Sequence, residues 1–241
     1  MQERYLGDVH DFYKFRFLKF LSKFFCFEIG LNWYLVNPKN ISLFELEKHD
    51  GEKRSYLEKS NFYEEDRELI EELLELKLPE KRRITDFTKN SHLKKYINFF
   101  NTELRVEDRS NWFQQSVKYF NKNRIVFLDP DNGISKKKQA RRRSIKYVLD
   151  SEIKQYLEHG KTIIFTQFQS FNKPHRVYIN EIISFFKDKE ILIELPIIRN
   201  RTSPNTFYFT VLGSEDSKVK FINVYENYVK TFNDSTELIT F

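Results

Sequence analysis

The sequence predicts an α/β fold: a mostly parallel sheet with helices on both faces and an antiparallel C-terminal edge. Three observations carry this. Along the 241 residues, apolar positions at helical spacing alternate with short β-rich runs, in the order helix, strand, helices, strand, helix, strand, helix, strand, strand. The run IVFL at 125–128 is continuously apolar, as in a strand buried on both faces. The last two β-rich runs flank the turn NRTSPN, which suits an antiparallel hairpin. The length fits a single domain, 1–241, with a mostly helical insertion over 37–110.

Taken in order, Asp8 caps a helix over 9–27 in which Phe12, Phe15, Leu18, Leu21, Phe24 and Phe25 recur at helical spacing, and Gly30 closes it. Residues 31–36, LNWYLV, form a strand, and a polar loop over 37–54 follows. Helices are expected over 65–76, 91–101 and 111–121. A strand over 124–128 ends at Asp129, and a helix over 147–158 closes at Gly160. A strand over 161–168, a helix over 174–187, and strands over 190–198 and 207–213 complete the pattern. Residues 217–231 suit either a helix or a strand.

The composition limits the function classes. Ala is almost absent, so the 25 Phe and 13 Tyr must supply most of the core volume. No apolar run approaches the roughly 18–20 residues that span a bilayer. The opening MQERYLGD lacks signal-peptide architecture, and a cytoplasmic location is expected. One cysteine, Cys26, excludes an internal disulfide and is expected to be a buried, inert thiol among phenylalanines. The net charge of +6 is unevenly spread: 62–80 is acidic, while 135–146, SKKKQARRRSIK, holds seven cations and no anion. That asymmetry points to a local polyanion site.

In sheets of this kind, ligands bind beyond the carboxyl ends of the strands. Asp129, Pro130, Asp131, Asn132 and Gly133 therefore lie at the expected rim, with Asn37, Gln167 and Gln169. DPDNG is also a good plain turn, since Asp-Pro and Asn-Gly both form turns. In GDVHDFYKF, Asp8, Asp11 and Lys14 fall three residues apart and share a helix face. His10 on the same stretch suits a surface position. His175 and Arg176 follow a later strand, where they can contact phosphate or exchange protons near neutral pH. Lys136, Lys137, Lys138, Arg141, Arg142, Arg143 and Lys146 overhang the rim and suit phosphate contacts. Tyr147, Phe168 and Phe171 are candidates for stacking on a base. The six glycines are scattered, so there is no G-x-G loop, P-loop or nucleophile elbow.

From the N-terminal helix through DPDNG, the chain resembles the ribosomal RNA adenine-N6 methyltransferases that act on large-subunit RNA. GDVHDFYKF resembles that family's G-N-x-A-D-V-x-K-H pattern, with Asp8, Asp11 and Lys14 at its Asn, Asp and Lys. The stretch from Arg105 through Gly133 resembles the segment that ends in D-P-P-Y, with Asp129 and Pro130 on its first two positions. The resemblance implies a Rossmann-like methyltransferase fold, S-adenosylmethionine as donor, a nucleic-acid substrate, and Asp129 as acceptor for the target amine. Asp131 and Asn132 replace the second proline and the aromatic, and LNWYLVNPKN replaces the glycine-rich donor loop.

Three readings follow. The first is a nucleic-acid-directed protein of methyltransferase ancestry. Here Asp129, Pro130, Asp131 and Asn132 are catalytic, and Asp8, Asp11, Lys14 and Asn37 serve the cofactor. The second is a nuclease or phosphodiesterase whose Asp8, Asp11, Asp129 and Asp131 bind magnesium or manganese. The third is a non-catalytic nucleic-acid-binding subunit of a larger assembly, with a protein partner.

Overall fold

The computed structural model describes residues 1–47, 53–137, 141–214 and 216–241. A short 3-10 turn, Glu3–Tyr5, precedes helix α1 (Val9–Phe25). The Asp8 side chain caps α1, accepting from the backbone N–H groups of His10 and Asp11. The helix ends at Cys26, which takes a left-handed φ of 58°. Cys26 is exposed, against the expectation of a buried thiol, because the chain turns outward there.

Gly30 does not close the helix but lies inside strand β1 (Ile29–Asn32), which begins earlier than expected. A Cβ at Gly30 would meet the Phe120 ring at 2.7 Å, so the glycine lets a helix pack close to the strand. The stretch 37–110 then holds α2 (Leu43–Leu46), α3 (Ser60–Glu65), α4 (Arg67–Glu75), α5 (Ile84–Asn90) and 3-10 turns. It also holds strand β2 (Ile97–Phe100), where a helix over 91–101 was expected. Apolar Leu93, Ile97 and Phe100 satisfy a helical period, but INFF is a β-rich run and β1 offers it a parallel partner.

The remainder follows the predicted order: α6 (Arg109–Tyr119), β3 (Ile125–Leu128), α7 (Asp150–Glu158), β4 (Thr162–Phe168), α8 (His175–Lys187), β5 (Ile197–Asn200) and β6 (Thr206–Val211). Residues 218–231 resolve as helix α9 (Lys218–Thr231), and β7 (Thr236–Ile239) adds an edge strand that the sequence reading did not anticipate.

The sheet order is β2-β1-β3-β4-β6-β5-β7. The first four strands are parallel, and β6 and β7 run against their neighbours. The chain leaves β1 toward β2 on one side and returns to β3 on the other. That reversal places the carboxyl ends of β1 and β3 side by side. Alternate residues of each strand face two apolar layers. Ile125, Phe127, Ile164 and Tyr208 meet α1, α4, α5 and α9. Val126, Leu128, Phe165 and Phe209 meet α6, α7 and α8.

Gly213, just past β6, packs against the start of β4: its N–H donates to Thr162 Oγ1 at 2.8 Å. A Cβ there would lie 2.3 Å from the Gly160 carbonyl oxygen. Gly213→Ala is therefore expected to cost about 1–3 kcal/mol in urea unfolding, the usual range for overpacking. A change within a few tenths would show that this backbone yields freely.

Candidate functional site

The two stretches singled out from the sequence meet at the carboxyl end of β3. The Asp129 N–H donates to Asn32 O at 2.9 Å, fixing the exit of β3 to the end of β1. Its side chain continues the Ile125, Phe127 alternation and turns toward α1. Lys14, buried on α1, donates to Asp129 Oδ2 and to Asp11 Oδ1, each at 2.5 Å. Its ammonium also lies 4.5 Å from the centre of the Trp33 ring. The other Asp11 oxygen accepts from the Gly7 N–H at 2.8 Å. The Asp8–Asp11–Lys14 spacing thus produces a cap, a carboxylate and an ammonium in successive steps along one helix face.

Burial and pairing set the charges. Burial pushes the Asp8 carboxyl well above the usual range, and the Asp11 carboxylate beside it adds to this. Burial also raises Asp129; the Lys14 ammonium only partly offsets it. Burial disfavours the Lys14 charge, but Asp11 and Asp129 outweigh that and hold its pKa above the ordinary lysine value. Burial would raise Asp131 too. There the α-amino group of Met1, 3.0 Å from Oδ1, and the Gln2 amide, 2.7 Å from Oδ2, prevail and lower it.

These groups line a cavity of about 180 Å³. Asp8, His10, Asp11, Lys14, Asp129, Asp131, Asn132, Lys146, Thr166 and Thr206 supply its polar lining; Tyr5, Pro130, Phe168, Pro204 and Tyr208 are among its less polar residues. Thr166 and Tyr208 are cross-strand partners, as are Phe168 and Thr206. The turn after Pro130 is held from the opposite face of the sheet. Gly133 takes φ 75°, and Gln167 Oε1 accepts from the Ile134 N–H at 2.8 Å.

Of the residues expected at the site, Asp8, Asp11, Lys14, Asp129, Pro130, Asp131, Asn132 and Lys146 share this cavity. Asn37 does not line it: it is exposed and caps the 3-10 turn Pro38–Asn40 through Lys39 N. His175 opens α8 with its ring edge-on to Phe207, and Arg176 beside it is exposed; neither lines the cavity. Burial and the nearby Arg199 lower the His175 pKa.

The basic run divides. Lys146 is buried and pairs with Glu45 at 3.0 Å. Lys136 bonds Glu181 at 2.7 Å, and Lys137, Arg142 and Arg143 are exposed. Arg141 belongs to the 3-10 segment Arg141–Lys146, and Lys138 lies outside the described residues.

Sequence reasoning missed Thr166 and Thr206, and it placed His10 on the surface. His10 is half-buried, and its ring meets Phe168 edge-on at 5.4 Å between centroids. Burial lowers its pKa to about 4. Threonine on the alternation that carries Ile164 toward α1 was the available signal.

The four aspartates proposed as metal ligands already have other partners. Lys14 bridges two, Asp131 holds an amine and an amide, and Asp8 caps α1. Among the described residues, no group of three His, Cys, Asp or Glu is arranged to hold a metal ion. No helix among them is long and apolar enough to cross a membrane. The chain matches no family model, no curated protein and no solved structure.

Lys14→Met leaves two buried carboxylates facing one another without a cation. It is expected to cost about 3–5 kcal/mol in urea unfolding at pH 7. The loss should shrink as the pH is lowered, because burial already favours the protonated form of Asp129; an equal loss at pH 7 and pH 5 would discount the electrostatic account.

His10 carries the opposite pH signature. Its folded pKa of about 4 lies below the ordinary 6.5, so unfolding takes up a proton between those values. Its contribution to stability is complete above 6.5 and declines as the pH falls toward 4. Relative to the native protein, His10→Gln should gain melting temperature as the pH is lowered from 7 to 5. A pH-independent difference would contradict the assignment.

Proposed function

We propose that the chain is a nucleic-acid-directed protein of methyltransferase ancestry with a Rossmann-like sheet, diverged so that it holds a nucleobase at the exit of β3. The observation that carries this reading is the Lys14 bridge. It joins the two stretches of family resemblance, GDVHDFYKF and DPDN, at one cavity. The reversal of strand order between β1 and β3 supports it, because open α/β sheets bind ligands at such a point. The cavity is smaller than the roughly 300–1,000 Å³ of ordinary ligand pockets. At about 180 Å³ it suits a single ring system better than a whole nucleotide cofactor.

A base enters such a cavity only when it is unpaired or turned out of a duplex. The 3-10 segment that ends at the cavity-lining Lys146 presents exposed Arg142 and Arg143, which suit backbone phosphates. Phe171, 78% exposed and three residues past the cavity-lining Phe168, suits stacking on a neighbouring base.

The residues at the exit of β1 argue against an adenosyl donor there. Trp33 and Tyr34 are fully buried in place of a glycine-rich loop. Trp33 stacks on Phe99 and donates from Nε1 to Asn101. Tyr34 takes φ 48°, packs on Trp112 and donates its hydroxyl to Glu152. The Tyr34 carbonyl accepts from the Met1 amine at 2.8 Å. Close backbone approach to a cofactor has no room at these side chains, so the reading is base recognition without methyl transfer. The Lys14 ammonium between Asp11 and Asp129 likewise weighs against the magnesium or manganese nuclease, since it already supplies their cation.

Fluorescence anisotropy with labelled single-stranded RNA and DNA tests the proposal. Binding should weaken steeply between about 50 and 200 mM salt, and removing Arg142 and Arg143 together should flatten that dependence. S-adenosylmethionine at about 1 mM should leave the melting temperature unchanged. A clear stabilisation by the donor would restore the methyltransferase reading; no binding to either nucleic acid would remove the proposal.

A further inference from the structure

The cavity is lined by the carboxyls of Asp8, Asp11, Asp129 and Asp131, and fewer cations pair with them. Lys14 is shared between Asp11 and Asp129, and the Met1 amine holds Asp131. Lys146, the remaining cation of the lining, is bonded to Glu45 instead. Asp8 makes no ion pair among the described residues; its Oδ1 accepts from the backbone N–H groups of His10 and Asp11. Asp8 Oδ2 and Asp129 Oδ1 take no hydrogen bond from those residues.

A second observation is independent of charge. Thr166 lines the cavity, is 4% exposed, and its Oγ1 has no hydrogen-bond partner within the protein. Native proteins leave few such atoms unbonded, and a ligand is one account of those that remain. A hydroxyl donates or accepts, so Thr166 calls for a polar ligand without choosing its edge. The carboxylates make that choice, because when ionised they only accept.

The surplus of carboxyls favours a positively charged ligand that presents N–H groups. A metal ion suits the site poorly. It needs several oxygens at once, and among the described residues no group of three His, Cys, Asp or Glu is arranged to hold one. Tyr5, Phe168 and Tyr208 also line the cavity, and aromatic faces attract a flat ring that carries positive charge. Such a ring offsets the burial that raises the Asp8 and Asp129 carboxyls.

We propose that the base held at the exit of β3 is a positively charged purine, an N7-methylated guanine. Methylation at N7 places the positive charge on the ring. The ring N1–H and the 2-amine are then neighbouring donors, which carboxylate oxygens accept as charge-assisted bonds. Asp8 Oδ2 and Asp129 Oδ1 are the acceptors, and the Thr166 hydroxyl donates to the 6-oxo group. Unmodified guanine has this edge without the charge, and N1-methyladenine has the charge without the N1–H. This inference rests on the proposal that the cavity holds a nucleobase.

The test uses oligouridylates of roughly 12 nucleotides, each with one central 7-methylguanosine, guanosine or 1-methyladenosine, and the same anisotropy assay. The native protein should prefer 7-methylguanosine to either of the others about tenfold, the scale of one buried charge-assisted hydrogen bond. Asp8→Asn keeps a good helix cap and removes the charge, so the ratio of 7-methylguanosine to guanosine affinity should fall toward one. A merely structural role for Asp8 would weaken all three oligonucleotides alike. Thr166→Val keeps the shape and should weaken 7-methylguanosine binding several-fold, which serves where Asp8→Asn fails to fold. The base assignment is overturned by equal native binding of 7-methylguanosine and either comparison base, by an unchanged ratio in folded Asp8→Asn, or by unchanged affinity in Thr166→Val. Each of these results leaves nucleic-acid binding standing. Failure of the native protein to bind any oligonucleotide overturns both.

Discussion

A single buried ammonium holds the centre of this molecule together. Lys14 reaches from α1 to Asp129 at the end of β3 and takes Asp11 from its own helix on the way. Removing three charges from water is costly, and the arrangement is tolerable only because each charge meets another at hydrogen-bond distance. The surrounding geometry serves that match. The Asp8 cap sets the first turn of α1, the Gly7 N–H holds the second oxygen of Asp11, and the Asn32 carbonyl holds the backbone of Asp129.

The parts of the fold that obeyed strong local rules were legible from the sequence. IVFL could only be a buried strand, and the Asp8 cap with its phenylalanine spacing could only begin a helix. The parts that failed depended on partners distant in sequence. INFF becomes a strand because β1 lies beside it, and Gly30 belongs to β1 because Phe120 leaves room for nothing larger. For the site, the residues that carry charge were found because carboxylates at the end of an apolar run are conspicuous. Thr166 and His10 were not recognised, because an isolated threonine in a strand and a histidine in a first helical turn both look ordinary.

The cationic run 135–146 shows why charge in sequence is a poor map of charge in space. Lys146 turns inward to Glu45, which also accepts from Gln2 and Arg4 and so ties α2 to the N-terminal segment. Lys136 bridges to Glu181 on α8. Among its described residues, Arg142 and Arg143 face water. The described part of this run is divided among an internal strut, a tether between elements and a solvent-facing edge.

The bridge between Lys14 and Asp129 spans 115 residues of chain. Contacts of such separation form only after the intervening loop has closed, so the cavity cannot exist before the centre of the sheet has assembled. Local fraying of the termini or of α2 would leave the bridge intact; losing the bridge means parting α1 from β3. Occupancy of the cavity is thus linked to opening of the central strands β1, β3 and β4. A molecule bound there would act as a clamp on cooperative unfolding of the whole sheet.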